Sequence, residues 1–177
     1  MRIVAGQWRG RRIRPPDDAR VRPTADRVRE AWMSIVNPYL VGARVLDLFA
    51  GSGALGLEAL SRGAASADVV EVSAAGVRAI RENADVLGAG DALTIHRGDA
   101  IRFIEKLDVN AFDVAFADPP YGHGLAAAVA DRWRAVPFAA ILGVEHESKE
   151  KLRDGDTRRY GSTAITFFRT DSHVAGS

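Results

Sequence analysis

The sequence predicts an α/β fold: one doubly wound, mostly parallel sheet of seven strands, with a C-terminal antiparallel hairpin and a basic N-terminal arm. Three observations predict it. Short apolar runs alternate with amphipathic stretches along most of the chain, the pattern of strands joined in parallel through crossover helices. The first of these runs, Val45 to Ala50, passes directly into a glycine-rich turn, Gly51-Ser52-Gly53-Ala54-Leu55-Gly56, and then into a helical stretch. The fourth, Phe112 to Ala117, ends in a stiff polar turn, Asp118-Pro119-Pro120-Tyr121.

Each element follows from its local pattern. Residues 1–23 read as an irregular or hairpin arm, and Val28, Ala31, Trp32 and Ile35 give helical spacing after a Pro23-Thr24 start. Strands are expected near 44–49, 68–72, 92–96, 112–117 and 139–145, and helices near 54–62, 73–87, 99–107 and 124–135, with Gly63 closing the first of these helices. Arg158-Arg159-Tyr160 and Thr163 to Arg169, joined through Gly161-Ser162, form the terminal hairpin, and 171–177 is a tail. With 177 residues, 47% of them hydrophobic, no repeat and no linker, a single domain is expected: the arm over 1–23, a catalytic core over 24–170 and the tail. No membrane segment or signal peptide is apparent.

The order of such sheets brings the two turns together. In the usual 3-2-1-4-5 arrangement strands one and four are neighbours across the reversal, and ligands bind outside their carboxyl ends. The glycine turn and Asp118 then face one crevice. Glycines there let backbone N–H groups approach a ligand at a helix N-terminus, which fits a dinucleotide as well as other cofactors. Glu71, 20 residues after Gly51, stands where a ribose-binding carboxylate is expected, so a nicotinamide oxidoreductase is one reading.

Asp47 favours another. It lies inside the first strand, where a carboxylate is costly without a partner. A cationic aminoacyl group is such a partner, and S-adenosylmethionine carries one, together with a sulfonium, a ribose and an adenine. Gly51, Ser52 and Gly53 approach it through their backbone, Glu71 is suited to the ribose hydroxyls, and Asp99, with Ala100 beside it, is placed to accept from the adenine amine. Glu71 and Asp99 are equally suited to capping the helices that follow them.

Asp118-Pro119-Pro120-Tyr121 suits the acceptor. A carboxylate and the Pro119 carbonyl can bind the two N–H groups of an exocyclic amine and favour a tetrahedral, nucleophilic nitrogen, while Tyr121 offers a stacking face worth about 1 to 3 kcal/mol per base. A plain strand-ending turn is the alternative.

Charge points to nucleic acid. Net charge is only +1, yet residues 1–30 hold nine Arg against four acids. Lys occurs only three times in the chain, so an Arg-rich composition explains the choice of Arg, but not the clustering. Trp8 among these arginines suits an RNA surface. Cys is absent, which excludes a disulfide framework and a thiolate zinc site and fits a cytoplasmic protein. His96, His123, His146 and His173 have no ligand spacing, so no metal is expected, and His123 reads as a loop residue.

Three blocks in this order, Arg22 to Ala31, Leu46 to Ala64 and Asp118 to Tyr121, resemble the bacterial 16S ribosomal RNA guanine-N2 methyltransferases. The opening Arg2-Ile3-Val4-Ala5-Gly6 and the late Tyr160-Gly161-Ser162-Thr163 are similar too. The resemblance implies a class I methyltransferase fold, S-adenosylmethionine as donor, and a guanine of 16S rRNA within the small subunit as acceptor; a monomer without metal or membrane is expected. Carried over by position, Asp47, Gly51, Ser52, Gly53, Glu71, Asp99 and Ala100 bind the cofactor; Asp118, Pro119 and Tyr121 hold the base; and Arg9, Arg11, Arg12, Arg22 and Arg27 face RNA. The same tetrapeptide also serves adenine in DNA or a protein glutamine, and an RNA-binding module without catalysis is a further alternative. The chain departs from the family pattern after Tyr121, where it is short: one helix leads into residues 139–145, and only 149–154 separate that strand from the hairpin, which leaves the far edge of the sheet open.

Overall fold

In the computed structural model, which describes residues 1–16 and 23–171, the runs of branched and aromatic residues form one seven-stranded sheet. In chain order the elements are α1 (Pro23–Val36), β1 (Arg44–Leu48), α2 (Ala54–Ser61), β2 (Ser66–Glu71), α3 (Ala74–Leu87), β3 (Leu93–Arg97), α4 (Ala100–Glu105), β4 (Phe112–Ala117), α5 (Leu125–Ala135), β5 (Ala139–Glu147), β6 (Asp156–Tyr160) and β7 (Thr163–Arg169). The strand order is β3-β2-β1-β4-β5-β7-β6. All neighbours are parallel except β7, which runs antiparallel to both β5 and β6. The fold expected from the sequence is therefore the one observed, and the short C-terminal region still completes the far edge.

Alternation along the strands divides the core in two. Val45, Val114, Phe116, Ile141 and Phe167 face α1, α2 and α3, where Trp32, Leu57 and Leu87 pack. Leu46, Leu48, Ala115, Leu142 and Phe168 face α4 and α5, where Ile104, Val129 and Trp133 pack. Trp32 meets Phe116 edge-on at 5.5 Å and fixes α1 across β4; truncating such a buried Trp costs about 3 to 5 kcal/mol.

Register levels the strand tips that matter. Leu48 pairs with Ala117 on one side and Val70 on the other, so the residues after β1, β2 and β4 leave the sheet side by side. α3 is capped by the Ser73 hydroxyl, which accepts from the Gly76 N–H at 2.9 Å, and ends on left-handed Gly88.

The arm is a docked hairpin. The Ile3 N–H donates to Arg11 O (2.9 Å), the Gly10 N–H to Ile3 O (2.8 Å) and the Ile13 N–H to Met1 O (3.0 Å), and both isoleucines are buried in the core. Glu58, fully buried on α2, receives the Val4 and Ala5 N–H groups at 2.8 and 3.2 Å and pairs with Arg62 at 3.2 Å. Gly6, at φ +86°, lies so close to α2 that a Cβ there would stand 1.8 Å from Ser61 O, so only glycine fits. Trp8 is accordingly not a free aromatic surface: its ring is half-buried against the core and its backbone N–H donates to Ser61 Oγ, because the apolar residues of the arm serve docking.

Candidate functional site

The levelled strand tips open one cavity of about 700 Å³. The turn after β1 forms its floor. Phe49 at φ 58° reverses the chain despite its Cβ, at a cost of about 1 to 2 kcal/mol, and Gly51 and Gly53 continue with φ 58° and 79°. Gly53 then enters α2 with no side-chain cap. Asp47 lies beneath this turn, 1% exposed, and its Oδ2 accepts the Gly56 N–H at 2.9 Å. Burial pushes its carboxyl from 3.8 up to about 8; the Gly56 N–H opposes that rise, and the charges of Asp118 and Glu71 add to it.

Glu71, at the tip of β2, braces two backbones. One carboxylate oxygen accepts the Gly51 N–H and the other the Ser73 N–H, each at 2.8 Å. It thus ties the glycine turn to the start of α3 rather than capping that helix, a task that falls to Ser73. Asp99 caps α4 through the Arg102 N–H at 2.9 Å and lines the cavity as well, so its two sequence readings are compatible.

The opposite wall is the turn after β4. Asp118 and Pro120 are exposed and Pro119 is buried. The Tyr121 hydroxyl lies 3.0 Å from Thr163 Oγ1 on β7 and donates to Glu145 Oε1 on β5 at 3.4 Å, which anchors the ring to two strands beyond its own turn. Desolvation is the main cause that raises its pKa above 10.0. His123 in the following loop is exposed and outside the cavity lining.

The structure brings together most of the residues singled out in the sequence. Asp47, Gly51, Ser52, Glu71, Asp99, Ala100, Asp118, Pro119 and Tyr121 all line the cavity. Gly53 does not; its N–H donates to Ala50 O at 2.8 Å and it shapes the turn instead. Arg9, Arg11, Arg12 and Arg27 are exposed outside the cavity, with Arg11 donating to Val86 O at 2.7 Å, and Arg22 lies outside the described residues. Sequence reasoning missed Phe49, Glu145 and three residues of α1: Asp26, Arg29 and Trp32. Arg29 sits one turn before Trp32, a spacing that marks the flank of the apolar stripe, and that was the available signal.

Among the lining residues six are acidic (Asp26, Asp47, Glu71, Asp99, Asp118 and Glu145) and one, Arg29, has a basic side chain. Such a cavity suits a ligand rich in positive charge that carries a single anionic group.

Strand order, the reversed seventh strand and a cavity across β1 and β4 define a class I methyltransferase fold. The structure superposes on yhhF from Escherichia coli, provisionally designated a methyltransferase, with a TM-score of 0.81 and 34% identity over 94% of this chain and 96% of that one. The chain belongs to the family described as Conserved hypothetical protein 95, whose model matches residues 1–169. It is similar to Ribosomal RNA small subunit methyltransferase D of Escherichia coli (strain K12), at 44% identity over 125 residues that cover 71% of this chain and 62% of the relative's length. It is also similar to YlbH of Bacillus subtilis (strain 168), provisionally named an rRNA methyltransferase, at 31% identity over 96% of this chain and 98% of that protein. The family resemblance read from the motifs is borne out.

Proposed function

We propose that this protein transfers a methyl group from S-adenosylmethionine to the exocyclic N2 amine of a guanine in 16S rRNA of the small ribosomal subunit. The observation that carries this reading is the shared cavity between the glycine turn after β1 and Asp118-Pro119-Pro120-Tyr121 after β4, held side by side by the Leu48–Ala117 register. The names of the relatives supply the substrate class.

The lining fits the donor. Asp47 suits the ammonium, the glycine turn the aminoacyl chain, Glu71 the ribose and Asp99 with Ala100 the adenine, whereas the pyrophosphate of a dinucleotide would meet six acidic side chains and a single guanidinium. When bound, S-adenosylmethionine supplies an electrophilic methyl carbon whose bond to sulfur breaks as the carbon–nitrogen bond forms. Tyr121, pinned by its hydroxyl, stacks on a base drawn out of its helix at a cost of roughly a few kcal/mol. Asp118 and the Pro119 carbonyl hold the two amine hydrogens and orient the nitrogen lone pair, and Asp118 stabilises the positive charge that develops there until the nitrogen's proton passes by way of this exposed carboxylate to solvent water. No covalent enzyme intermediate is required.

In this reading residues 1–23 are the basic arm of one methyltransferase domain whose core runs over 24–170. The exposed Arg9, Arg11 and Arg12, with Arg22 and Arg27, contact rRNA phosphates. The enzyme works as a monomer, without metal, where small subunits are assembled in the cytoplasm.

Mass spectrometry of small-subunit rRNA nucleosides from cells with and without the protein tests this. Loss of one N2-methylguanosine is expected on deletion, and methyl incorporation in vitro should favour ribosomal subunits over duplex DNA or release factor. An unchanged nucleoside profile, or transfer to DNA or glutamine instead, overturns it.

A further inference from the structure

Three buried donor atoms on one face of α1 have no partner. Among the described residues four buried side-chain polar atoms lack a hydrogen bond, and three of them are Arg29 Nε, Arg29 Nη1 and Trp32 Nε1, all from residues that line the cavity. The Arg29 side chain is only 9% exposed. Its remaining nitrogen, Nη2, donates to Arg2 O at 2.9 Å and stands 3.7 Å from Asp26, whose own side chain is 42% exposed. Burying a guanidinium with two of its three nitrogens unsatisfied is expensive, and the arrangement is stable at low cost only if an acceptor arrives.

The missing partner is an anion. All three orphaned atoms are donors, and a guanidinium prefers the delocalised oxygens of a carboxylate or phosphate. Position chooses between these two. α1 packs against α2, the helix that the glycine turn opens, and the docked arm passes beneath Arg29 through its bond to Arg2 O. Six acidic side chains share the cavity, and those that are ionised repel a nucleic-acid phosphate but tolerate one carboxylate carried on a dicationic ligand. Phosphates have the exposed arginines outside.

We infer that Arg29 is the anchor for the aminoacyl carboxylate of the methyl donor. The inference rests on the donor assigned above and deepens it. Asp47 and Arg29 then read the two ends of the same amino acid group, ammonium and carboxylate, from β1 and α1. Ligands that share the adenosine but lack the carboxylate are discriminated against at this wall.

The test is calorimetric titration of the full-length protein and its Arg29→Met variant with S-adenosylmethionine and with decarboxylated S-adenosylmethionine. The native protein should bind the decarboxylated ligand about 10- to 100-fold more weakly, the range for a lost charge-assisted hydrogen bond. Arg29→Met should lose a similar factor for S-adenosylmethionine and nothing for the decarboxylated ligand. Comparing the two ligands on the native protein needs no variant, so a folding defect cannot mask the answer. Equal native affinity for both ligands overturns the anchor while leaving the donor intact, whereas binding of neither sinks the donor assignment and the anchor with it. Weakening of both ligands alike by Arg29→Met would mark a structural residue, and unchanged donor binding with reduced affinity for inorganic phosphate would mark a phosphate site; either overturns the inference.

Discussion

Raising the pH should tighten donor binding through Asp47. In the free protein its carboxyl is pushed up to about 8 by burial, so near neutrality it is mostly protonated. A bound ammonium favours the carboxylate and draws the group back toward its ordinary range, so binding releases a proton. With a free-state value near 8, the ionised fraction grows from about 1% at pH 6 to about half at pH 8, which predicts about fifty-fold tighter binding, or about 2 kcal/mol. The donor's own amine titrates in this range but does so equally for any protein, so the informative quantity is the difference between the native chain and Asp47→Asn. Calorimetry in two buffers of unlike ionisation enthalpy should show nearly one proton released at pH 7 by the native protein and a smaller release by the variant. The same shift governs stability in the absence of ligand. The folded state holds a proton that the unfolded state gives up above about 3.8, so the Asp47 contribution falls as pH rises from about 4 to 8. Asp47→Asn should therefore melt progressively higher than the native protein toward pH 8. Identical pH profiles for the two proteins, in both affinity and melting, would refute the reasoning.

Three further outcomes are expected. Asp118→Ala should reduce single-turnover methyl transfer by about 100- to 1,000-fold with donor affinity nearly unchanged, since the side chain acts on the acceptor; retained turnover removes it from the site. Arg11→Glu with Arg12→Glu should weaken binding of small-subunit rRNA and flatten the dependence of log affinity on log salt by about 0.7 to 0.9 for each phosphate that the arm no longer neutralises, measured by filter binding between low and moderate salt. Glu58→Ala strands the Val4 and Ala5 N–H groups and Arg62, and should cost about 3 to 5 kcal/mol in denaturant unfolding while hydrogen exchange accelerates in residues 3–13; a protected arm would show that it is docked by other means.

Local signals account for what the chain alone revealed. Val45 to Leu48 and Phe112 to Ala117 had to be buried strands because their runs are too apolar and too short for anything else, and the turns that follow carry their own backbone chemistry in glycine and proline. Chain order then implied the neighbours, and the β1–β4 register is the result. Arg29, Glu145 and the docked arm were not legible in that way. Arg29 looks like one more arginine of a basic segment until α1 lies across β4 and turns it into the cavity, and Glu145 looks like a strand residue until Tyr121 reaches it from another turn. The half-burial of Trp8 was not legible for the same reason, since it depends on α2 rather than on its arginine neighbours.

Residue order and composition thus settled the elements, their succession and the two turns, since those depend on neighbours a few positions apart. Folding in three dimensions settled which charges lose their water: Asp47 shifts upward, Glu58 becomes a docking point and Arg29 is left in want of an anion, because desolvation is a property of the surrounding volume and not of the chain on either side.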